Sequence, residues 1–439
     1  MTDKQNDNEV PEDIAAYEGD SDVQIFGDRE SEVRSYSRNW PDVFDSSKGV
    51  RLTTESGEQY LDFFGGAGAL NYGHNDDDLK AALLEYIERD GITHSLDKFT
   101  VAKREFLQTF TDKILEPRGL DYKVMFPGPT GTNAVESALK LARKVTGREA
   151  ILNFTNSFHG MTLGSLSVTG NSMKRAGAGV PLVHATPMPY DNYFGGITED
   201  FQWMERVLED SGSGINRPAA VIVECVQGEG GINAARAEWL RALNDLCVRH
   251  DILLIVDDVQ MGCGRTGEFF SFEFAGIKPD IVTLSKSIGG YGLPLALTLF
   301  RPDLDVWAAG EHNGTFRGNN LAFVTAAKAL DKFWSDDKLQ KHTLANGEWL
   351  REFFGKLVEK YPEELELRGR GMAFGIAFTK RPELAEEVLA GCFDRKLLVE
   401  TAGPNDEVVK FLAPLVISRE DLEEGSKICY DVIDELLSA

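Results

Sequence analysis

The sequence predicts an α/β protein, in which a large domain with a mostly parallel sheet flanked by helices precedes a smaller α+β domain. From about Tyr122, strand-like and helix-like segments alternate, a pattern typical of parallel sheets covered by helices. The strand-like runs ILLIV and AAVIV are apolar throughout, as expected when both faces of a strand are buried. After about Leu321 the pattern changes to long helical segments and then to shorter strands and helices, which indicates the second domain.

The composition of the 439-residue chain excludes several classes of protein. It contains no apolar run long enough to cross a membrane and no signal-peptide core at its N-terminus. The five cysteines are scattered without metal-ligand spacing, so we expect reduced thiols, a cytoplasmic location and no metal. A formal net charge of −25 argues against nucleic acid or an anionic membrane as a partner. Such an acidic surface also suggests a salt-rich cytoplasm, as in a halophile.

The chain divides into four predicted segments. Residues 1–32 are acidic with few large apolar side chains, so we predict a mobile extension. In residues 33–75, which we expect to pack with the small domain, Tyr36, Trp40 and Phe44 recur every four residues. This spacing predicts one buried helical face or an arm against a partner, although the same aromatics could wall a substrate pocket. Two short strands follow within residues 49–64. The large domain is predicted to span residues 76–325, with helices at 77–89 and 100–115, and the small domain residues 326–439.

A glycine- and threonine-rich loop, GPTGTN at residues 128–133, precedes an amphipathic helix. Asn133 and Glu136 have the spacing of a capping box, and Gly147 is placed to end the helix. The loop would aim free backbone N–H groups and the Thr132 hydroxyl at an anion such as phosphate. Ordinary helix capping explains the same residues, and the motif alone favours it.

The chain between residues 252 and 286 places opposite charges at two neighbouring strand ends. Asp257 and Asp258 end one apolar run, and Lys286 follows the next, at residues 280–284. The carboxyl ends of parallel strands meet at one edge of a sheet, where ligands bind. A lysine that forms a Schiff base and an aspartate that pairs with a pyridinium nitrogen are what pyridoxal phosphate requires. A structural ion pair is an equally good interpretation of this stretch alone.

Three further groups of residues follow predicted strands. Phe158 and His159 come after the strand EAILNF, where a flat ring could stack on a cofactor or simply fill the core. Glu224 and Glu229 flank CVQG after the strand AAVIV. The loop at residues 315–319, TFRGN, is placed to reach a ligand or a neighbouring subunit.

In their order along the chain, these motifs identify a family resemblance. The Gly-Thr loop, Phe-His-Gly, Glu-x-x-Gln-Gly-Glu, Asp-x-x-Gln, the GCGRTG run, Lys286 and Thr315 together resemble the class III aminotransferases. That resemblance covers the chain from about Val33 to the C-terminus and implies fold type I, the aspartate aminotransferase-like fold. Within the family, LNYGH, DDVQMGCGRTG, SKSIGGYGLP and NGTFRGNNLAF are similar to the diaminobutyrate–2-oxoglutarate transaminases of ectoine synthesis.

The resemblance implies pyridoxal 5′-phosphate as the cofactor and assigns residues to it. Lys286 would hold the cofactor and then transfer protons, and Asp257 would keep the pyridine nitrogen protonated. The other implied contacts are Gly131 and Thr132 at the phosphate, Phe158 on the ring face with His159 beside it, Glu224, Gln260 at the ring 3-oxygen, and Thr315 from the second subunit. The last contact makes a homodimer the minimal active unit, and dimers could pair into tetramers.

Two positions depart from the pattern common in the family. Met161 stands where many members have an arginine for a substrate carboxylate, and Lys410 replaces an arginine that pairs with the equivalent of Glu229. Because lysine lacks the bidentate fork of arginine, it would hold a carboxylate less directionally. We therefore predict that Glu229 and Lys410 form a switch that lets one site accept glutamate and a substrate without that second carboxylate.

The implied activity is amino transfer from L-glutamate to L-aspartate 4-semialdehyde, which yields L-2,4-diaminobutyrate and 2-oxoglutarate. The alternatives are another class III ω-transaminase acting on 4-aminobutyrate, ornithine or a diamine, a related lyase or aminomutase, and a non-catalytic protein that binds pyridoxal phosphate. The two departures argue against simple transfer of a 4-aminobutyrate or ornithine specificity.

Overall fold

The computed structural model describes residues 21–195 and 201–438. The strands are β1 (Phe44–Lys48), β2 (Arg51–Thr54), β3 (Gln59–Asp62), β4 (Lys123–Met125), β5 (Ile151–Phe154), β6 (Ala185–Met188), β7 (Ala220–Val223), β8 (Val226–Gln227), β9 (Asn233–Ala234), β10 (Leu253–Asp257), β11 (Ile281–Leu284), β12 (Leu297–Phe300), β13 (Leu365–Arg370), β14 (Ala373–Phe378), β15 (Leu397–Leu398), β16 (Glu400–Ala402) and β17 (Val408–Phe411).

The α-helices are α1 (Ser21–Arg29), α2 (Tyr36–Asn39), α3 (Gly65–Gly68), α4 (Asp77–Glu88), α5 (Val101–Phe110), α6 (Gly131–Thr146), α7 (Leu163–Ser167), α8 (Ser172–Ala176), α9 (Gln202–Glu209), α10 (Ala237–Arg249), α11 (Asn320–Phe333), α12 (Lys338–Lys360), α13 (Leu384–Asp394) and α14 (Arg419–Ser438). A π-helical segment, Thr111–Leu115, extends α5, and short 3₁₀ segments lie at Glu116–Arg118, Glu273–Ala275, Lys286–Gly289 and Pro302–Leu304. Within the described parts of the chain, no helix has the length and apolarity that crossing a bilayer requires.

A seven-stranded sheet with the order β4-β12-β11-β10-β7-β5-β6 forms the centre of the fold. Strand β12 runs antiparallel to both of its neighbours, and the other paired strands are parallel. Every residue of β7, β10 and β11 is buried, which explains their continuous apolar sequences. The predicted α/β class is confirmed. Because β10 and β11 are parallel neighbours, Asp257 at the end of β10 and Lys286 just after β11 lie at the same sheet edge.

Two further sheets have four strands each, and one of them joins the N-terminal and C-terminal parts of the chain. One has the order β1-β2-β3-β15, in which Leu61 of β3 pairs in parallel with Leu397 of β15. The other, β13-β14-β17-β16, is antiparallel and pairs Glu400 of β16 directly with Lys410 of β17. The domain limits at residues 75/76 and 325/326 stay predictions.

The N-terminal region differs from the sequence expectation. Ser21–Arg29 is helical, although the sequence predicts a mobile extension to residue 32; residues 1–20 lie outside the described residues. The aromatics at 36, 40 and 44 do not form one helical face, because α2 stops at Asn39 just before Trp40-Pro41, and a residue before proline disfavours helix. Tyr36 and Trp40 instead pack on Phe64, with ring centroids 4.7 and 4.9 Å away.

The start of α6 also corrects one prediction. Asn133 does take part in a capping box, but its partner is Thr130, whose backbone N–H and hydroxyl donate to Asn133 Oδ1 at 3.3 and 2.8 Å. Glu136 accepts from the Thr162 hydroxyl and the Ser165 N–H instead, at 2.5 and 2.9 Å. The helix thus begins three residues earlier than the proposed Asn133–Glu136 box requires. It ends as predicted at Gly147, whose φ is +66°.

Candidate active site

Lys286 lies in the turn that follows β11 and has a left-handed backbone, with φ of +52°. Its ammonium group donates to the Ala67 carbonyl at 2.8 Å, so the glycine-rich segment around α3 faces the lysine across the crevice. Burial lowers the pKa of Lys286 from its ordinary value, despite the attraction of Glu229. A larger fraction of neutral amine is what a nucleophilic or basic lysine needs.

Asp257 is held rigidly at the end of β10. His159 Nδ1 lies 2.7 Å from its Oδ2, while the Thr283 hydroxyl and the Val259 N–H donate to Oδ1 at 3.0 and 3.1 Å. Burial disfavours the imidazolium, but the hydrogen bond and charge of Asp257 outweigh burial and raise the pKa of His159. His159 is buried against Asp257, so it fixes this carboxylate; its prediction as a direct cofactor contact remains a prediction.

The start of α6, which we call the α6 cradle, has the features from which the sequence predicts an anion site. A helix leaves its first backbone N–H groups without intrahelical partners, and here these belong to Gly131 and Thr132. A Cβ on Gly131 would come within 2.7 Å of Val259 Cγ1, so only glycine permits this close approach. The Thr132 hydroxyl is already hydrogen-bonded to Thr162 and Ser165, at 2.8 and 2.9 Å.

The backbone of Phe158 is positioned by a hydrogen bond to the carboxyl group of Glu224. Its backbone N–H donates to Glu224 Oε2 at 3.0 Å, and its ring lies 4.6 Å from the ammonium of Lys174. Burial raises the pKa of Glu224 to about 7. The buried carboxyl group of Glu224 therefore orients the backbone of the Phe-His-Gly segment.

Glu229, Lys410 and Glu400 form a carboxylate–ammonium–carboxylate cluster, which we call the acid triad. Lys410 Nζ lies 2.8 Å from Glu229 Oε1 and 3.1 Å from Glu400 Oε1, and its side chain is fully buried. Gln260 Nε2 donates both to Glu229 Oε1 and to the Ala67 carbonyl at 3.0 Å. Since Lys286 also donates to the Ala67 carbonyl, the triad is connected to the lysine at the sheet edge through Gln260 and Ala67.

The charges within the acid triad are unequal. Burial alone favours neutral Glu229, but the nearby ammonium groups of Lys410 and Lys286 lower its pKa to about 2. Burial raises the pKa of Glu400 to about 7. For Lys410, burial is outweighed by the two carboxylates, which raise its pKa. Glu229 and Lys410 are thus a firmly ionised pair, whereas Glu400 titrates near neutrality.

Met161 and Thr315 lie at the surface. Met161 is 53% exposed, and Thr315 is in an exposed loop held by the Arg317–Asp97 ion pair at 2.9 Å. The hydrogen bonds of the described residues connect neither side chain with the groups around Lys286.

Sequence reasoning missed Glu400, Thr283 and Lys174. For Glu400 there was a signal, since it directly follows the apolar run at residues 397–399, and Lys410 is a charged residue inside the apolar strand VVKF.

The assembled groups fit pyridoxal phosphate. The α6 cradle suits its phosphate, the fixed Asp257 carboxylate suits a protonated ring nitrogen, and Lys286 offers a half-buried amine. The Oε1 atom of Gln260 is buried without a hydrogen-bond partner among the described residues. This acceptor is therefore available to a hydrogen-bond donor of a bound molecule. Adjacent strand ends of a fold-type-I sheet with these groups define a pyridoxal phosphate-dependent enzyme.

The chain belongs to the class III aminotransferases, whose family model matches residues 34–433. It is similar to the diaminobutyrate–2-oxoglutarate transaminase of Streptomyces anulatus, with 65% identity over 92% of this chain and 96% of that protein. It is 59% identical to the enzyme of the same name from Halalkalibacterium halodurans, over 95% and 97% of the two chains. Among solved structures it resembles the ornithine aminotransferase of Toxoplasma gondii, with a TM-score of 0.83 and 25% identity over 99% and 100% of the chains.

Proposed function

We propose that this aminotransferase moves an amino group from L-glutamate to L-aspartate 4-semialdehyde, giving L-2,4-diaminobutyrate and 2-oxoglutarate, as in the first step of ectoine synthesis. The observation that carries this proposal is the name shared by relatives that are 65% and 59% identical over more than nine-tenths of the chain. The acid triad supports it, because Glu229 and Lys410 offer a site that can serve substrates with and without a second carboxylate.

The residues at the sheet edge have complementary roles in this proposal. Bound pyridoxal phosphate supplies an electron sink for the carbon that carries the amino group. Lys286 would hold the cofactor, and its amine would serve as the base that takes up the proton of the carbon bearing the amino group. Asp257 holds a proton on the ring nitrogen, and His159 and Thr283 keep its carboxylate in position. Gly131 and Thr132 bind the phosphate.

The ion pair between Glu229 and Lys410 opens in one half-reaction and stays closed in the other. When glutamate binds, its α-carboxylate, which the reacting carbon of the other substrate lacks, takes the place of Glu229 on Lys410. When the semialdehyde or diaminobutyrate binds, the Glu229–Lys410 pair stays closed. The 2.8 Å contact supports this switch, since an ion pair this close to Gln260 and Lys286 must open or close within reach of the reacting carbon.

We propose that the active unit is a homodimer to which each chain contributes Thr315. The neighbouring Phe316 is 68% exposed and Phe99 is completely exposed, and both belong to surface segments linked by the Arg317–Asp97 ion pair. Large apolar side chains exposed together are typical of a protein interface. Mixing Lys286→Ala and Thr315→Ala chains tests this: restored activity in the mixed dimers supports shared sites, and additive loss contradicts them.

The experiment that tests the proposed function is a steady-state panel of donors and acceptors. We expect the highest kcat/KM for L-2,4-diaminobutyrate with 2-oxoglutarate, and lower values for ornithine, 4-aminobutyrate and unsubstituted diamines. A preference for ornithine or 4-aminobutyrate would favour the rival ω-transaminases. The panel is run at low and high salt because the charge of −25 predicts activity that persists in concentrated salt. Five buried free cysteines fit the reduced, cytoplasmic setting that we propose.

A further inference from the structure

The acid triad contains one carboxylate more than an ion-pair switch requires. Glu229 and Lys410 alone would balance each other, yet Glu400 is also in contact with Lys410, at 3.1 Å. Glu400 is held there by the sheet, since it pairs directly with Lys410 across β16 and β17. Glu229 comes instead from the loop between β8 and β9. The Glu400–Lys410 contact is therefore built into one sheet, and the Glu229–Lys410 contact is made between separate segments.

Glu400 is poorly compensated for a buried charge. Its side chain is 3% exposed, and among the described residues neither of its carboxylate oxygens receives a hydrogen bond beyond the ion pair with Lys410. The charged or titratable groups that act on it are Lys410, Glu229, Lys286 and Tyr36. A buried carboxylate with one shared cation tends to take up a proton when another negative charge approaches.

We propose that Glu400 determines the preference of the site for dicarboxylate ligands, by taking up a proton when the second carboxylate of such a ligand binds Lys410. With both glutamates ionised, the acid triad carries a net charge of −1. A ligand carboxylate that displaces Glu229 from Lys410 would bring the buried site to −2, since Glu229 keeps its hydrogen bond to Gln260. Protonation of Glu400 removes this repulsion while its cross-strand position still holds Lys410. A ligand with a single carboxylate adds no charge to the triad and needs no proton. This inference deepens the proposed function, on whose two-substrate site it rests.

The sign of the pH effect follows from the pKa of Glu400, which burial raises to about 7. Below that pH, Glu400 is neutral and the triad accepts a dicarboxylate readily. Above it, the protein must take up a proton from solution, so dicarboxylate binding weakens by about tenfold for each pH unit. Glutamate and 2-oxoglutarate are therefore favoured on the acidic side of neutrality, whereas the diaminobutyrate half-reaction lacks this dependence.

Calorimetry of the holoenzyme with unreactive ligands tests the inference. Glutarate has two carboxylates, and valerate has the same chain length with one. For wild-type protein we expect the Kd of glutarate to rise about tenfold between about pH 6 and about pH 8, and that of valerate to rise much less. Titrations in buffers of different ionisation enthalpy should show uptake of nearly one proton per glutarate at about pH 8, and none for valerate.

Glu400→Gln should abolish both the pH dependence and the proton uptake, and should bind glutarate at about pH 8 about tenfold more tightly than the wild type. Glu366→Gln, which removes an exposed carboxylate from β13 of the same sheet, is the matched control and should behave as wild type. Persistent proton uptake in Glu400→Gln overturns the inference. If that variant does not fold, equal proton uptake for glutarate and valerate in the wild type overturns it. These ligands do not react, so the result is independent of whether diaminobutyrate is the substrate.

Discussion

Replacing Lys410 with methionine tests the triad most severely, because the side chain keeps a similar length but loses its charge. The ammonium is fully buried between carboxylates 2.8 and 3.1 Å away. Lys410→Met leaves those two carboxylates facing each other without a cation. We expect a stable fold only if one or both carboxylates take up protons, and we expect weaker binding of glutamate.

The cost can be worked from the pKa of Glu229. The neighbouring ammonium groups lower it to about 2 from an ordinary 4.5, and each pKa unit corresponds to about 1.4 kcal/mol. Because the folded-state pKa is depressed, this stabilisation is present above about pH 4.5 and is lost as the pH falls through 2. Lys410 supplies most of this stabilisation, and Lys286 and Gln260 supply the rest. Losing Lys410 at neutral pH should therefore lower the free energy of unfolding by up to about 3 kcal/mol, in line with other broken buried ion pairs.

Lys410→Met should also weaken glutamate binding, independently of its effect on stability. Glutamate loses a charge-assisted hydrogen bond worth about 1.5–3 kcal/mol, so its KM should rise about 10- to 100-fold. The assay is the glutamate half-reaction, followed by the absorbance of the bound cofactor, together with thermal unfolding. Lys410→Arg should largely preserve glutamate binding, and Lys427→Met, at an exposed lysine paired with Asp431, should change neither quantity. An unchanged KM for glutamate in Lys410→Met would refute the role of Lys410.

Two further changes probe the cofactor site, and a third serves as their control. Asp257→Asn removes the charge that keeps the ring nitrogen protonated, so kcat should fall by at least about 10²-fold while urea unfolding of the apoenzyme changes little. Gly131→Ala would place a Cβ 2.7 Å from Val259 Cγ1, and equilibrium dialysis should show cofactor affinity reduced by at least about tenfold. Gly147→Ala meets nothing within 4 Å at φ of +66°; it should cost about 1 kcal/mol of stability and leave cofactor affinity unchanged. Equal losses of affinity in the two glycine variants would contradict the cradle.

The sequence predicts the sheet and its catalytic edge well, for a physical reason. Strands buried on both faces must be apolar throughout, so β10 and β11 stand out, and polar residues just beyond them have to lie at the same edge. That reasoning leads to Asp257 and Lys286 without any knowledge of tertiary contacts. The family resemblance then supplies the cofactor, which spacing alone leaves open.

The acid triad was only partly predictable. Glu229 and Lys410 came from the family pattern, but Glu400 depends on the register between β16 and β17, and a shift of one residue would turn its side chain to the opposite face. The helix boundary at Trp40 and the true capping partner of Asn133 were missed for a similar reason. Neighbouring registers, helix boundaries and capping partners differ little in local energy, so the tertiary packing of the rest of the chain selects among them.

The most direct test of the account is to identify the lysine that holds the cofactor. Borohydride reduction of the holoenzyme, followed by proteolysis and mass spectrometry, should place the phosphopyridoxyl group on Lys286. Lys410 is the other lysine beside Gln260 and Glu229 and provides the internal alternative. Modification of Lys410, or of any lysine other than Lys286, would contradict the site described here.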